Sequence, residues 1–420
     1  MNPAKISFSR IGQLANPPII SHIMAVALEN PDMLSLAAGF TDTKALPVQP
    51  VRDATLALSS NGKTPEYLQY GTTIGRPKLR KFVAKRLSQI DQHQSPAYNL
   101  DNVMLTTGSQ QALYLAIQVL CDPGDILLVE SPSYFVFLEL LKGLGIQAVG
   151  IPVDENDEMD TVALSGMLAG WQSEGSLDKV KGVYIESWFS NPSTHCLSNG
   201  EKTALAEVLK EAGLLVPILE DGAYMELYFE EAFPSTSIFA IEAFDGFPRL
   251  FFGTFTKPFA SGLKVGYAIC DHSDILSKMV NVKGHHDFGS SNYTQSIVET
   301  AMTDGSYDAQ LNKGRDRYLQ KMEILNEVLI QQGLPDSGWN WQKPAGGMYF
   351  WVKGPVQADT SIESAMFENA VKEGVLYVPG DLCFAPEGPK SYMRLTYGVL
   401  ERDDLAEAGQ RLANVIKQSN

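Results

Sequence analysis

Cysteine is scarce in these 420 residues: Cys121, Cys196, Cys270 and Cys383 are the only four. They are scattered and show no CxxC spacing, which argues against a disulfide framework and suits a reduced, cytoplasmic setting. Histidine is also rare, with six residues, one adjacent pair (His285 and His286) and no HExxH spacing. Zinc-hydrolase chemistry therefore has no foothold, and no metal is expected. Positive charge is in deficit: 33 Lys plus Arg stand against 49 Asp plus Glu, a net charge of −16. Such a surface gains nothing from a polyanion, so neither a nucleic-acid partner nor an acidic membrane surface is expected. Long apolar runs are missing too. No stretch of 18 apolar residues occurs, and MNPAKISFSRIGQLANPPII at the start has no apolar core behind a basic start. Neither a transmembrane helix nor a signal peptide is expected. No internal repeat or low-complexity linker is visible.

What is present is ample core material, 44% hydrophobic residues, in a pattern that alternates short apolar runs with amphipathic stretches. Seven runs read as strands: Val103–Thr107, Ile126–Glu130, Gln147–Pro152, Gly182–Glu186, Leu215–Glu220, Leu250–Gly253 and Val265–Cys270. After the first, Gly108-Ser109 opens a helix with apolar positions at Ala112, Leu115, Ala116, Val119 and Leu120, the i, i+3, i+4 rhythm. Asn199–Gly213 reads as a helix ending at its glycine, and Arg76–Gln89 as another. Strands apolar on both faces and separated by helices predict a mostly parallel sheet covered on both sides. Downstream come a long charged helix at Asp308–Gln332, short strands at Gly347–Val352 and Ser391–Tyr397, and helices at Ile362–Glu373 and Leu400–Lys417. The expected architecture is α/β. A large domain (46–310) carries the seven-stranded sheet, and a smaller α+β domain is formed by the C-terminal part (311–420) with the N-terminal arm (1–45).

Ligands of open α/β sheets sit beyond the carboxyl ends of the strands, so the residues there are the candidates. They are Thr107-Gly108-Ser109-Gln110-Gln111 opening a helix, Ser131-Pro132-Ser133-Tyr134, Asn191-Pro192, Glu220-Asp221-Gly222-Ala223-Tyr224, Thr254-Phe255-Thr256-Lys257, and Gly262-Leu263-Lys264-Val265-Gly266. Each alone has a plain explanation. GSQQ is a common helix start, Asp221 a turn cap, Tyr134 core and Lys257 a surface lysine. Together they place a phosphate cradle, an aromatic face, an amide, a carboxylate and a lysine on one rim. A flat, phosphorylated, heteroaromatic aldehyde would use all five.

From about Leu34 to the C-terminus the chain resembles the fold-type I pyridoxal-phosphate (PLP) aminotransferases of class I/II. It is nearest the branch with 2-aminoadipate and kynurenine aminotransferases and the aminotransferase-like domain of MocR-type regulators. Nine segments in the family's order carry the resemblance: LQYG (Leu68–Gly71), GSQQAL (Gly108–Leu113), SPSY (Ser131–Tyr134), SNP (Ser190–Pro192), EDGAY (Glu220–Tyr224), GTFTK (Gly253–Lys257), GLKVGY (Gly262–Tyr267), PAGGMYFW (Pro344–Trp351) and MRLTY (Met393–Tyr397). It implies that the large domain binds PLP and that Lys257 forms the Schiff base and moves the substrate proton. It further implies that Asp221 pairs with the pyridine nitrogen, Asn191 and Tyr224 bond the phenolic oxygen, and Tyr134 stacks on the ring. Ser109, Gln110, Thr254, Thr256 and Lys264 would hold the phosphate. Arg394 would take the substrate carboxylate as a bidentate pair, with the Gly39 backbone beside it and Asn191 also near the substrate. Tyr70 would reach the phosphate of a neighbouring subunit, which implies a homodimer with shared active sites.

Two positions depart from the family pattern. Lys264 stands where arginine is usual, so the planar two-pronged donor is lost while the charge is kept. The loop Asn191-Pro192-Ser193-Thr194 lacks the glycine that often follows. Gly346-Gly347 reads as a backbone turn and His285-His286 as surface. The implied reaction moves an amino group from an amino acid to a 2-oxo acid such as 2-oxoglutarate. The arm Pro17–Glu29, with Ile19, Ile20, Ile23 and Met24 and His22 as its polar contact, favours an aromatic or large aliphatic donor. A β-lyase or decarboxylase on the same scaffold uses the same residues. A non-catalytic effector domain would need a DNA-binding module, for which about thirty residues before Leu34 are too few.

Overall fold

The computed structural model describes residues 6–30, 32–60 and 64–419. Its centre is a seven-stranded sheet of β1 (Val103–Thr107), β2 (Ile126–Val129), β3 (Gln147–Gly150), β4 (Val180–Glu186), β5 (Ile218–Asp221), β6 (Arg249–Thr254) and β7 (Val265–Cys270). The spatial order is β1-β7-β6-β5-β4-β2-β3. All neighbours are parallel except β7, which runs antiparallel to both β1 and β6. The α/β class with a mostly parallel sheet is as expected. The reversed β7 is a feature that apolar patterning does not encode, because a strand buried on both faces reads alike in either direction.

Burial on both faces is visible residue by residue. Leu127 and Val129 of β2 pack with Ala112 and Phe137 on one side, while Ile126 and Leu128 pack with Leu164 and Leu205 on the other, the period-2 alternation of a strand. Helix boundaries follow local chemistry. The helix Asn199–Glu211 opens with a capping box of Ser198 and Glu201. It closes at Gly213 (φ +70), where the Leu214 amide N–H bonds the Leu209 carbonyl at 2.8 Å. That closure corrects the expected start of the fifth strand. Leu214 belongs to the helix end, Pro217 lacks an N–H for a ladder, and pairing begins at Ile218 instead of Leu215.

C-terminal to this lies a 26-residue helix, Ser306–Gln331, followed by a three-stranded antiparallel sheet. Its strands are β8 (Tyr349–Lys353), β9 (Val378–Pro379) and β10 (Tyr392–Thr396), in the order β9-β10-β8. The N-terminal segment joins this part. Leu34–Ser35 pairs in parallel with Val375–Leu376, and the Thr396 amide N–H bonds the Leu36 carbonyl. Asp42 is buried and takes Arg317 at 2.7 Å and Lys321 at 2.9 Å from the long helix. Burial works against its charge, but these two cations hold Asp42 below its ordinary pKa. The clip fixes the segment that carries Gly39. Among the described residues, no helix is long and apolar enough to cross a membrane.

Candidate active site

The carboxyl ends of β1, β4, β5 and β6 converge on a cavity of about 160 Å³. Ser109, Gln110, Tyr134, Asn191, Asp221, Tyr224, Thr254, Thr256, Lys257 and Lys264 all line it. At one end is the start of the helix Gly108–Leu120. Thr107 precedes it without a side-chain cap, so the helix's first N–H groups receive no acceptor from the capping residue. Gly266 of β7 lies against this turn. A Cβ on Gly266 would come within 2.3 Å of the Gly108 carbonyl carbon and 2.5 Å of the Ser109 nitrogen, so only glycine lets the two backbones approach. The two threonines divide the work. Thr254 Oγ1 accepts from the Thr256 amide at 3.0 Å and donates to the Val265 carbonyl at 3.3 Å. Thr256 Oγ1 is buried and has no partner among the described residues. Lys264 is exposed at the rim, in the left-handed region at φ +53.

Opposite the cradle stands Asp221. Its Oδ1 takes the Ala223 amide N–H at 2.8 Å and its Oδ2 the Tyr184 hydroxyl at 3.2 Å. Burial pushes its pKa up, and these two hydrogen bonds oppose the shift. Glu186 lines the same cavity. Burial, with Asp221 and Glu130 nearby, raises its pKa well above the ordinary carboxylate range. Tyr224 shares a 3.0 Å hydrogen bond with the Tyr349 hydroxyl, and burial keeps its phenol protonated.

Gly39 and Arg394, from the N- and C-terminal parts, do not line this cavity but bond to residues that do. Lys257 Nζ donates to the Gly39 carbonyl at 2.7 Å. A Cβ on Gly39 would meet the Tyr349 hydroxyl at 2.7 Å, so a side chain there would displace the Tyr349–Tyr224 hydrogen bond. Arg394 is buried on β10. It donates from Nη1 to Asn191 Oδ1 at 2.9 Å and from Nη2 to the Ala37 carbonyl at 2.7 Å, while its Nε has no partner among the described residues. Gly347, at φ +76, turns the chain under Phe189, as the glycine pair suggested.

Tyr70 and His22 do not line this cavity. Tyr70 is 81% exposed and meets exposed Phe288 edge-on at 6.0 Å. His22 is exposed on the helix Ile19–Glu29, whose buried residue is Ile23. His286 lies 3.2 Å from the Gln111 amide at the rim of an adjoining cavity. Sequence reasoning missed Glu186, Tyr184 and Tyr349. Glu186 ends a strand as Asp221 does, and Tyr184 is two residues earlier on the same face, so strand position was a usable signal for both. Tyr349 lies within a recognised segment, but its partner Tyr224 is 125 residues away.

The family model for aminotransferase class I and II matches residues 31–412. The chain belongs to this family. The aromatic-amino-acid aminotransferase 1 of Thermococcus litoralis is 31% identical over 93% of this chain and 89% of its own length. The 2-aminoadipate transaminase of Thermus thermophilus is 30% identical over 93% and 91%. The kynurenine aminotransferase structure of Pyrococcus horikoshii superposes with a TM-score of 0.87, 30% identity and coverage of 98% and 97%. The regulator NorG of Staphylococcus aureus is 24% identical over 86% of this chain and 76% of its own.

The aminotransferase site fits pyridoxal phosphate. The orphaned Thr256 hydroxyl and the uncapped helix start offer donors to a phosphate, and the buried carboxylate of Asp221 faces the same cavity as Lys257.

Proposed function

We propose that this PLP-dependent transaminase uses Lys257 as its Schiff-base lysine and takes an aromatic or large aliphatic amino acid as donor, with 2-oxoglutarate as acceptor. The observation that carries the reading is the cavity itself. Lys257, the buried carboxyl group of Asp221, the Asn191 amide and a phosphate cradle meet there, while Arg394 reaches the amide from the C-terminal sheet. Bound PLP supplies an electron sink for the pair released when the substrate α-carbon loses its proton. Lys257 Nζ, held at the cavity by the Gly39 carbonyl, would be the base that takes this proton and gives it back. Asp221 holds the proton on the pyridine nitrogen. Asn191 and Tyr224 serve the ring's phenolic oxygen and Tyr134 its face. Ser109, Gln110, Thr254, Thr256 and Lys264 hold the phosphate. Arg394 and Gly39, with Asn191, orient the substrate carboxylate, and His22 is the arm's polar contact.

The same reading assigns residues 46–310 to a PLP-binding domain, with 1–45 and 311–420 as arm and small domain. It also assigns a cytoplasmic homodimer in which Tyr70 serves the partner's phosphate. The exposed Tyr70–Phe288 pair with neighbouring exposed Leu68 supports the dimer, and four free thiols support the reduced compartment. The donor preference draws on relatives named for aromatic amino acids and kynurenine. A spectral titration of the PLP-loaded protein with a panel of amino acids tests it. Aromatic and large aliphatic donors are expected to bleach the visible band, and 2-oxoglutarate to restore it. A band that no amino acid changes would make the protein a PLP binder without turnover. Release of ammonia or carbon dioxide in step with bleaching would make it a lyase or decarboxylase.

A further inference from the structure

Three carboxyl side chains stand in a row at the ends of adjacent strands: Glu130 after β2, Glu186 closing β4 and Asp221 closing β5. All three are buried. Glu186 and Asp221 are register partners in the parallel ladder, so their side chains leave the same face of the sheet. Tyr184, on that face two residues before Glu186, sets its hydroxyl 3.2 Å from Glu186 Oε1 and 3.2 Å from Asp221 Oδ2. Glu186 Oε2 accepts the Asn191 amide N–H at 2.8 Å, and the Glu186 amide N–H donates to Glu130 Oε2 at 2.7 Å.

Donor counting requires one proton on the pair formed by Glu186 and Asp221. A phenol carries one hydrogen and can donate to one carboxylate only. With both carboxylates ionised, one oxygen would face a phenol lone pair in a buried site. A proton on either carboxyl group removes the conflict. Glu186 is the middle one of the three, with Asp221 beside it in the ladder and Glu130 bonded to the Glu186 amide N–H. The proton therefore belongs on Glu186 Oε1, which then donates to Tyr184 while Tyr184 donates to Asp221. Among the described residues no lysine, arginine or histidine bonds to either carboxyl group, and Arg394 directs its Nη donors to Asn191 and Ala37. Glu130, Tyr134, Tyr224 and Cys383 also face Glu186 and add no positive charge. Lys257 and Lys264 line the same cavity, but Lys257 directs its Nζ to the Gly39 carbonyl and neither lysine bonds to Glu186 or Asp221. Burial and the flanking carboxylates raise the proton affinity of Glu186 in the same sense.

We propose that Glu186 is a neutral carboxylic acid that acts as a positioning residue, its proton aiming the Tyr184 hydroxyl at Asp221 and its second oxygen holding the Asn191 loop. The consequence is that Asp221 alone would present charge to the pyridine nitrogen, and that the two groups assigned to that nitrogen and to the phenolic oxygen are set by one side chain. The role rests on the PLP reading; the protonation state does not.

The test uses the PLP-loaded protein. Infrared difference spectra of wild type against Glu186→Gln at neutral pH are expected to show a protonated-carboxyl C=O band from wild type that shifts in D₂O. Glutamine keeps both hydrogen-bond directions, so the pH titration of the visible PLP band in Glu186→Gln is expected to match wild type. Glu186→Leu keeps neither, and its titration is expected to move by about one pH unit, a tenfold change in proton affinity. An ionised-carboxylate difference band in place of the acid band overturns the protonation. A Glu186→Leu titration that coincides with wild type overturns the positioning role, as does a Glu186→Gln titration displaced as far as that of Glu186→Leu. Wild type that gains no visible band with PLP overturns the cofactor reading instead, and the infrared band still judges Glu186.

Discussion

Replacing Arg394 by lysine separates substrate binding from cofactor binding. The guanidinium has five N–H donors. One on Nη1 serves Asn191 Oδ1 and one on Nη2 serves the Ala37 carbonyl, which leaves three, including the buried Nε–H, which has no partner among the described residues. The group is fixed between aromatic rings, 4.4 Å from the Tyr349 centroid and 5.2 Å from that of Phe135. It is therefore a preorganised fork whose remaining donors match a carboxylate. Two hydrogen bonds to a charged group are worth about 3–6 kcal/mol together, so losing both costs about 10²–10⁴-fold in kcat/KM. Arg394→Lys keeps the charge and loses the fork, so its loss belongs at the low end of that range, and Arg394→Ala at the high end. The assay is stopped-flow conversion of the visible PLP band across donor concentrations, with PLP retention after dialysis measured on the same samples. Retention in Arg394→Lys is expected at the wild-type level, because no cofactor contact is assigned to this side chain. A kcat/KM within about threefold of wild type for both variants, a difference under 1 kcal/mol, would refute the reasoning.

Other outcomes follow from the same geometry. Lys264→Ala is expected to weaken PLP retention about tenfold to a hundredfold, one charge-assisted bond, and Lys264→Arg to hold or improve it; equal retention by all three proteins would place Lys264 off the phosphate. Burial raises Asp221 in the cofactor-free protein to about 6, and a raised acid favours the folded state below its unfolded pKa and loses that contribution as pH climbs through the folded value. The melting temperature of cofactor-free Asp221→Asn should therefore gain on wild type between about pH 4 and pH 6, and parallel curves would contradict the shift. Lys202 and Glu220 form a fully buried pair at 2.9 Å, with Lys202 4.2 Å from the Trp188 ring centroid; Lys202→Met strands the carboxylate and should cost about 3–5 kcal/mol in urea unfolding. Hybrids of Lys257→Ala and a Tyr70 variant should contain one site with neither lesion and recover turnover, whereas a fully active monomer in solution would end the shared-site dimer.

Local patterning decided more of this molecule than its site chemistry alone suggests. The strand Val265–Cys270 and the helix start at Gly108 are legible because a strand or helix is written in consecutive residues, by periodicity, caps and glycines. Strand ends then name Asp221, Thr254 and Lys257 without any contact being known, since the carboxyl edge of such a sheet is where ligands bind. Pairing across long separations is not written that way. Arg394 meets Asn191 across 203 residues and Lys257 meets Gly39 across 218. The reversed direction of β7, the union of Leu34–Ser35 with Val375–Leu376, and the burial of Lys202 against Glu220 are settled only when distant segments compete for the same core. Tyr184 and Glu186 show the boundary most sharply. Their alternation puts both on one face in the sequence alone, but which carboxylate they meet depends on β5 lying next to β4, and only that adjacency gives the phenol two acceptors and Glu186 its proton.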